Sequence, residues 1–184
     1  MDVNLQRAPR RADRTASNRP SVTVLVCGSA DRGDDAAAVL AVELLRPATR
    51  RRAVIEYVGQ LGVEALLERP PGSAVIVLDA AVGLAPGRVV RMSFADLRSG
   101  ARSPVPRSSH ELPIPEVVGI AELIAGPLAG GLVVIGGLDF SLGAKPSPGV
   151  RASLDHFARE IEAAIDEAVE AGTRDADARA EDVA

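Results

Sequence analysis

Two short runs constrain this chain more than anything else in it: VTVLVC at Val22–Cys27 and AVIVL at residues 74–78. A strand with one wet face alternates apolar and polar residues. A run that scarcely alternates belongs to a strand buried on both faces. Such strands need helices above and below them, so the chain has to build a layered α/β domain. A third apolar run, residues 132–135, is bounded by glycines and reads the same way.

The segments between these runs supply the covering helices. Residues 34–46 read as a helix that starts at Asp34 or Asp35 and ends before Pro47. Residues 60–68 form a short helix stopped by Pro70 and Pro71, and 115–125 a helix with Pro115 at its start. The last helix opens at Pro148. Val150, Leu154, Phe157, Ile161 and Ile165 then recur at spacings of three and four, which gives one apolar face. Residues 53–58 and 88–94 complete the strands. The turn Ala85-Pro86-Gly87 suggests that the third and fourth strands pair antiparallel.

The expected fold class is a three-layer α/β/α domain. Its twisted, mixed five-stranded sheet is mostly parallel, with helices on both faces. The expected organisation is a disordered basic arm over 1–20, one domain over 21–170, and a disordered acidic tail over 171–184. The arm carries five Arg and two Asp, and the tail is rich in Ala, Asp and Arg.

Composition narrows the function. The chain has 184 residues, a formal net charge of −4, no Trp, one Tyr and three Phe. The core is therefore aliphatic. An acidic domain with few aromatic platforms is unsuited to nucleic acid as its main partner. The single cysteine, Cys27, allows no intrachain disulfide and no cysteine-based metal cluster, which fits a cytoplasmic protein. No apolar run reaches membrane-spanning length, and the basic arm is not followed by the apolar stretch of a secretory signal.

Three polar residues stand where such a fold places its chemistry. Asp35 closes the turn GSADRGDD after the first strand, Asp79 follows VIVL, and His110 sits in the long loop RSPVPRSSHELP. Open α/β sheets bind ligands beyond the carboxyl ends of their strands. Each residue also has a plain structural reading. An Asp at the start of a helix caps it, so Asp34 is assigned the cap and Asp35 the site. Asp79 can cap a loop amide, and His110 can be a surface histidine. His156 reads as a helix-surface residue and Cys27 as a small buried hydrophobe.

The turn from Gly28 to Asp35 is not a nucleotide loop. A phosphate loop needs Lys and Ser/Thr where this chain has Asp34 and Asp35, and a dinucleotide fingerprint needs Gly where it has Ala30. No G-x-S-x-G elbow is present to make Ser109 a nucleophile. A thiol hydrolase built on Cys27 and His110 stays open at this point.

In order and spacing, GSADRGDDAAAV, VIVLDAAVG, SSHELPIPEVVGIAELI, GLVVIGG and LGAKPSPGVRASLDHF resemble the hydrogenase maturation proteases. These endopeptidases trim the C-terminus of the large-subunit precursor of nickel–iron hydrogenases. The resemblance runs from about Val22 to Ile165. It implies that Asp35, Asp79 and His110 are the catalytic and metal-contacting residues. It also implies that the nickel is supplied by the substrate, with no permanently bound cofactor. A carboxylate and imidazole set suits that metal. The implied partner is the precursor, and the implied protein is a monomer that binds neither nucleic acid nor membrane. The chain departs from the family pattern at Ser29, where Asn is usual, and at Ala36, where Gly is usual. These departures are the only sequence support for the alternative to an endopeptidase, a non-cleaving metal-sensing or precursor-binding chaperone domain of the same fold.

Overall fold

The computed structural model describes residues 22–70, 72–99 and 112–181. Strands β1 (Val22–Cys27), β2 (Val54–Gly59), β3 (Ala74–Ala81), β4 (Val89–Ser93) and β5 (Ala129–Gly136) form one sheet in the order β2-β1-β3-β5-β4. All neighbours are parallel except β4, which runs antiparallel to β5. Helices α1 (Ala37–Glu43), α2 (Pro47–Arg50), α3 (Val63–Leu67), α4 (Phe94–Arg98), α5 (Ile114–Ala125) and α6 (Pro148–Glu181) cover it. The five-stranded, mostly parallel α/β sheet is the fold class expected from the sequence.

The doubly apolar strands explain the layering. Alternate residues of a strand face opposite ways. Val22, Val24 and Val26, with Ile76, Leu78, Val133 and Ile135, face Ala38, Ala41 and Val42 of α1 and Phe157, Ile161 and Ile165 of α6. Leu25 and Cys27, with Val75, Val77, Leu132 and Val134, face Leu66 of α3, Phe94 of α4 and Val117, Val118 and Ala121 of α5. Phe94 and Phe157 are both fully buried, one in each layer.

The antiparallel partner of β4 is β5 and not β3, so the expected hairpin between the third and fourth strands does not form. The turn itself is present, with Arg88 N–H donating to Ala85 O at 2.9 Å. Burial decides the order. β3 and β5 are apolar on both faces and take the centre. β4 carries Arg91 and Ser93, is only half-buried, and suits the edge, where Arg91 pairs with Glu160 and Glu167 of α6.

Other boundaries differ from expectation as well: the helix over 34–46 is a 3-10 turn followed by α1, the helix over 60–68 shortens to α3, and the strand over 132–135 lengthens to β5. β3 runs on through Ala81, so Asp79 lies within the strand and not after it. Residues 94–98 form α4, where a loop was expected to begin at 98. The signal is a capping box in which the Ser93 hydroxyl accepts from Asp96 N–H while the Asp96 carboxylate accepts from Ser93 N–H. The tail expected to lack structure continues α6 through Glu181, because its alanines favour helix more than its acidic residues oppose it. The arm 1–20 and residues 182–184 lie outside the described residues. Among the described residues, no helix is long and apolar enough to cross a membrane.

One polar anchor ties α6 to the rest. Glu162 is buried on α6, and its carboxylate accepts from Arg46 N–H at 2.7 Å and from Arg46 Nε–H at 2.8 Å. Burial pushes its pKa up, but these bonds and the guanidinium charge outweigh burial and hold it below the ordinary value. An unfolded Glu titrates near about 4.3. Folding lowers that value, so the contribution is complete above it and is lost as pH falls through the folded-state value. E162Q is expected to be less stable by about 1–2 kcal/mol at neutral pH, because solvent around the largely exposed Arg46 side chain screens the pair. Thermal melting from about pH 6 to about pH 2 checks this, with the wild type losing stability more steeply than E162Q below the unfolded value.

Candidate functional site

β1 delivers the chain to a turn at the carboxyl end of the sheet. Gly28 has φ +95°, and a Cβ there would lie 2.1 Å from the backbone oxygen of Asp35, so only glycine permits the return of the chain. Gly28 N–H is held by Gly59 O at 2.7 Å. The turn closes through a 3-10 helix, Gly33–Ala36, which leads into α1. The Asp35 carboxylate folds back over the turn and accepts from Ser29 N–H at 2.9 Å. Asp35 is 5% exposed.

Asp79 reaches the same end of the sheet from β3. It shares strand parity with Val77 and Ala81, whose side chains lie in the layer of Leu25 and Cys27. It is 1% exposed, and its Oδ1 accepts from Ala80 N–H at 2.9 Å.

Cys27, buried at the end of β1, feels both carboxylates. Burial pushes the thiol pKa well up, and the charges of Asp79 and then Asp35 push it further. Both carboxylates therefore lie within electrostatic reach of one sulfur, at the ends of adjacent strands. The same facts remove the thiol hydrolase reading. Cys27 is fully buried, and two negative neighbours oppose the thiolate that a nucleophile needs. Iodoacetamide is expected to leave Cys27 unmodified in the native protein at about pH 8 and to label it fully after denaturation. Rapid native labelling, read by intact mass, would contradict this assignment.

His110, the third expected member of the site, lies outside the described residues, as do Arg102, Arg107 and Ser109. Among the described residues, no group of three or more His, Cys, Asp and Glu side chains is placed to hold a metal ion. His156 is half-exposed on α6 and faces Glu160, far along the chain from either carboxylate.

Asp34 does not cap the helix. The 3-10 turn has no side-chain cap at all. The Asp34 carboxylate is fully buried and reaches across the site to the loop that follows β5. Its Oδ2 accepts from Leu138 N–H at 2.6 Å and Asp139 N–H at 3.1 Å, and its Oδ1 accepts from Ser147 N–H at 2.6 Å. Burial raises its pKa, but the N–H donors of Leu138, Ser147 and Asp139 together win and leave it below the ordinary value. No local pattern predicts this partner, which lies more than a hundred residues away.

A cavity of about 500 Å³ lies at the other end of the sheet, lined by Ala74, Gly130, Gly131, Arg91 and Glu167. It sits at the amino ends of β3 and β5. The carboxylates are at the opposite ends, where α/β sheets bind their ligands.

No protein-family model matches the sequence, and no curated protein matches it. Solved structures do match. The [NiFe] hydrogenase maturation protease HybD from Thermococcus kodakarensis superposes with a TM-score of 0.60 at 18% identity, over 77% of this chain and 96% of that one. The hydrogenase maturating endopeptidase HybD from E. coli gives 0.58 at 21% identity, over 79% and 92%. The maturation protease HycI from Thermococcus kodakarensis KOD1 gives 0.57 at 21% identity, over 82% and 95%. This chain has the fold of the [NiFe] hydrogenase maturation proteases, across nearly the full length of those proteins and about four-fifths of its own.

Proposed function

We propose that this protein is an endopeptidase that removes the C-terminal extension of a nickel-loaded nickel–iron hydrogenase large-subunit precursor. The observation that carries the reading is the placement of Asp35 and Asp79. On a fold shared with named maturation proteases, two buried carboxylates stand at the carboxyl end of the sheet, beside adjacent strands and both acting on Cys27. Asp35, Asp79 and His110 form the set assigned to the precursor's own nickel, which is part of the substrate. Carboxylate and imidazole donors suit that metal.

The chemistry required is hydrolysis of one peptide bond. Water oxygen bonds to the carbonyl carbon, the C–N bond breaks, and the departing amine takes up a proton. A metal held beside the scissile carbonyl polarises it. A carboxylate then accepts the water's proton as general base. Asp79, buried and rigidly placed in β3, is the assigned candidate for that role.

The departures from the family pattern fit cleavage as well as they fit a chaperone. Ser29 holds Asp35 through its main-chain N–H, a bond any residue but proline can supply. Ala36 is buried with φ −70°, a conformation that needs no glycine. Neither change removes the main-chain bond that holds the carboxylate.

Incubation of the protein with nickel-loaded precursor, followed by mass spectrometry, is the test. The expected result is loss of one C-terminal peptide, with nickel-free precursor left intact. Asp35→Ala, Asp79→Ala and His110→Ala are each expected to slow processing at least about 100-fold. Normal processing by the Asp35 and His110 variants, or a stable uncut complex with the wild type, would refute the proteolytic reading.

A further inference from the structure

The loop over residues 137–147 is bound to the turn of Asp35 from both sides. Besides the three N–H donors that meet the Asp34 carboxylate, Asp34 N–H donates to Asp139 O at 2.7 Å and Gly33 N–H to Ala144 O at 3.2 Å. Gly143 N–H returns a bond to Asp31 O at 2.7 Å. The packing is close. A Cβ on Gly33 would lie 2.3 Å from Asp139 O, and one on Gly137 would lie 3.0 Å from the Asp34 Cβ. Turn and loop are therefore tied together at several points, with the buried Asp34 carboxylate among them.

This loop nevertheless leaves two large aliphatic side chains in solvent. Leu138 is 72% exposed and Leu142 is 71% exposed, while Phe140 between them packs into the core. Val82, 45% exposed, stands on the neighbouring segment, which Gly137 N–H joins through Ala81 O at 2.9 Å. The exposed leucines thus sit on a loop whose main chain is tied to the Asp34 carboxylate on both sides of Leu142.

We infer that Asp34 is a positioning residue. It holds the 137–147 loop against the turn of Asp35, so that Leu138 and Leu142 form an apolar wall receiving an apolar stretch of the precursor polypeptide next to the scissile bond. The inference rests on the proteolytic reading and adds to it how the substrate is gripped. The occupant is polypeptide because the wall is continuous, through main-chain bonds, with the carboxylate turn assigned to that substrate. It is an apolar stretch because aliphatic side chains gain by burial against others of their kind.

Steady-state processing of nickel-loaded precursor by the full chain tests this. L138S/L142S is expected to keep its melting temperature, since both side chains are exposed, and to raise KM about tenfold, the loss falling on KM and not on kcat. D34N keeps the side-chain shape but puts an NH2 group where one carboxylate oxygen met backbone N–H donors. It is expected to raise KM similarly and to speed hydrogen exchange at Leu138, Asp139 and Ser147. An unchanged KM in L138S/L142S overturns the wall. Faster loop exchange in D34N with an unchanged KM overturns the positioning role and leaves Asp34 purely structural. If the wild type binds precursor without cutting it, the proteolytic reading fails separately. The same comparison is then made on Kd, where tenfold weakening supports the wall and none overturns it.

Discussion

Burial of β3 and its parallel neighbours on both faces is the constraint on which everything else depends. Each of these strands must feed two cores at once, which forces helices onto both sides and drives the half-polar β4 to the edge. It also makes Asp79 unusual. A carboxylate in a strand whose other members all lie in apolar layers is costly unless the surroundings receive it. In this fold they receive it at the carboxyl end, beside the turn of β1. The chemistry of the site thus grows out of the layer that buries it.

The two adjacent aspartates divide the work differently from simple capping. Helix capping requires one carboxylate accepting from its own first turn. Here neither does that. Asp35 turns back onto Ser29, and Asp34 spans the site to the loop beyond β5. The polar pair therefore joins three chain segments and replaces the cap with a longer-range bond network. Three charged-group bonds from main chain, each worth roughly 1.5–3 kcal/mol, are a stronger reason to retain Asp34 than a cap of about 1 kcal/mol.

Much of the fold was legible. The apolar runs at Val22–Cys27 and within Ala74–Ala81 announced a parallel sheet, and the three-and-four spacing from Val150 to Ile165 announced α6. What was misread has physical causes. The turn at Pro86-Gly87 exists, but a turn does not say which edge the chain turns towards. That depended on β5 claiming the centre. The Ala-rich end of α6 reads as a disordered tail because its acidic charge masks its helix propensity. Of the site, the positions of Asp35 and Asp79 at the sheet's carboxyl end were readable, while the proximity of Cys27 and the reach of Asp34 were not.

The sequence by itself determined that a layered, aliphatic α/β domain would form, and that carboxylates would stand at the ends of its first and third strands. Those are local facts, carried by runs of side chains and by turns. Only the tertiary structure decided that β5 separates β3 from β4, that both carboxylates come to bear on Cys27, and that Asp34 belongs to a loop 104 to 113 residues away. These pairings follow from which surfaces can be buried together, and the order of residues along a chain does not encode that choice in any one segment.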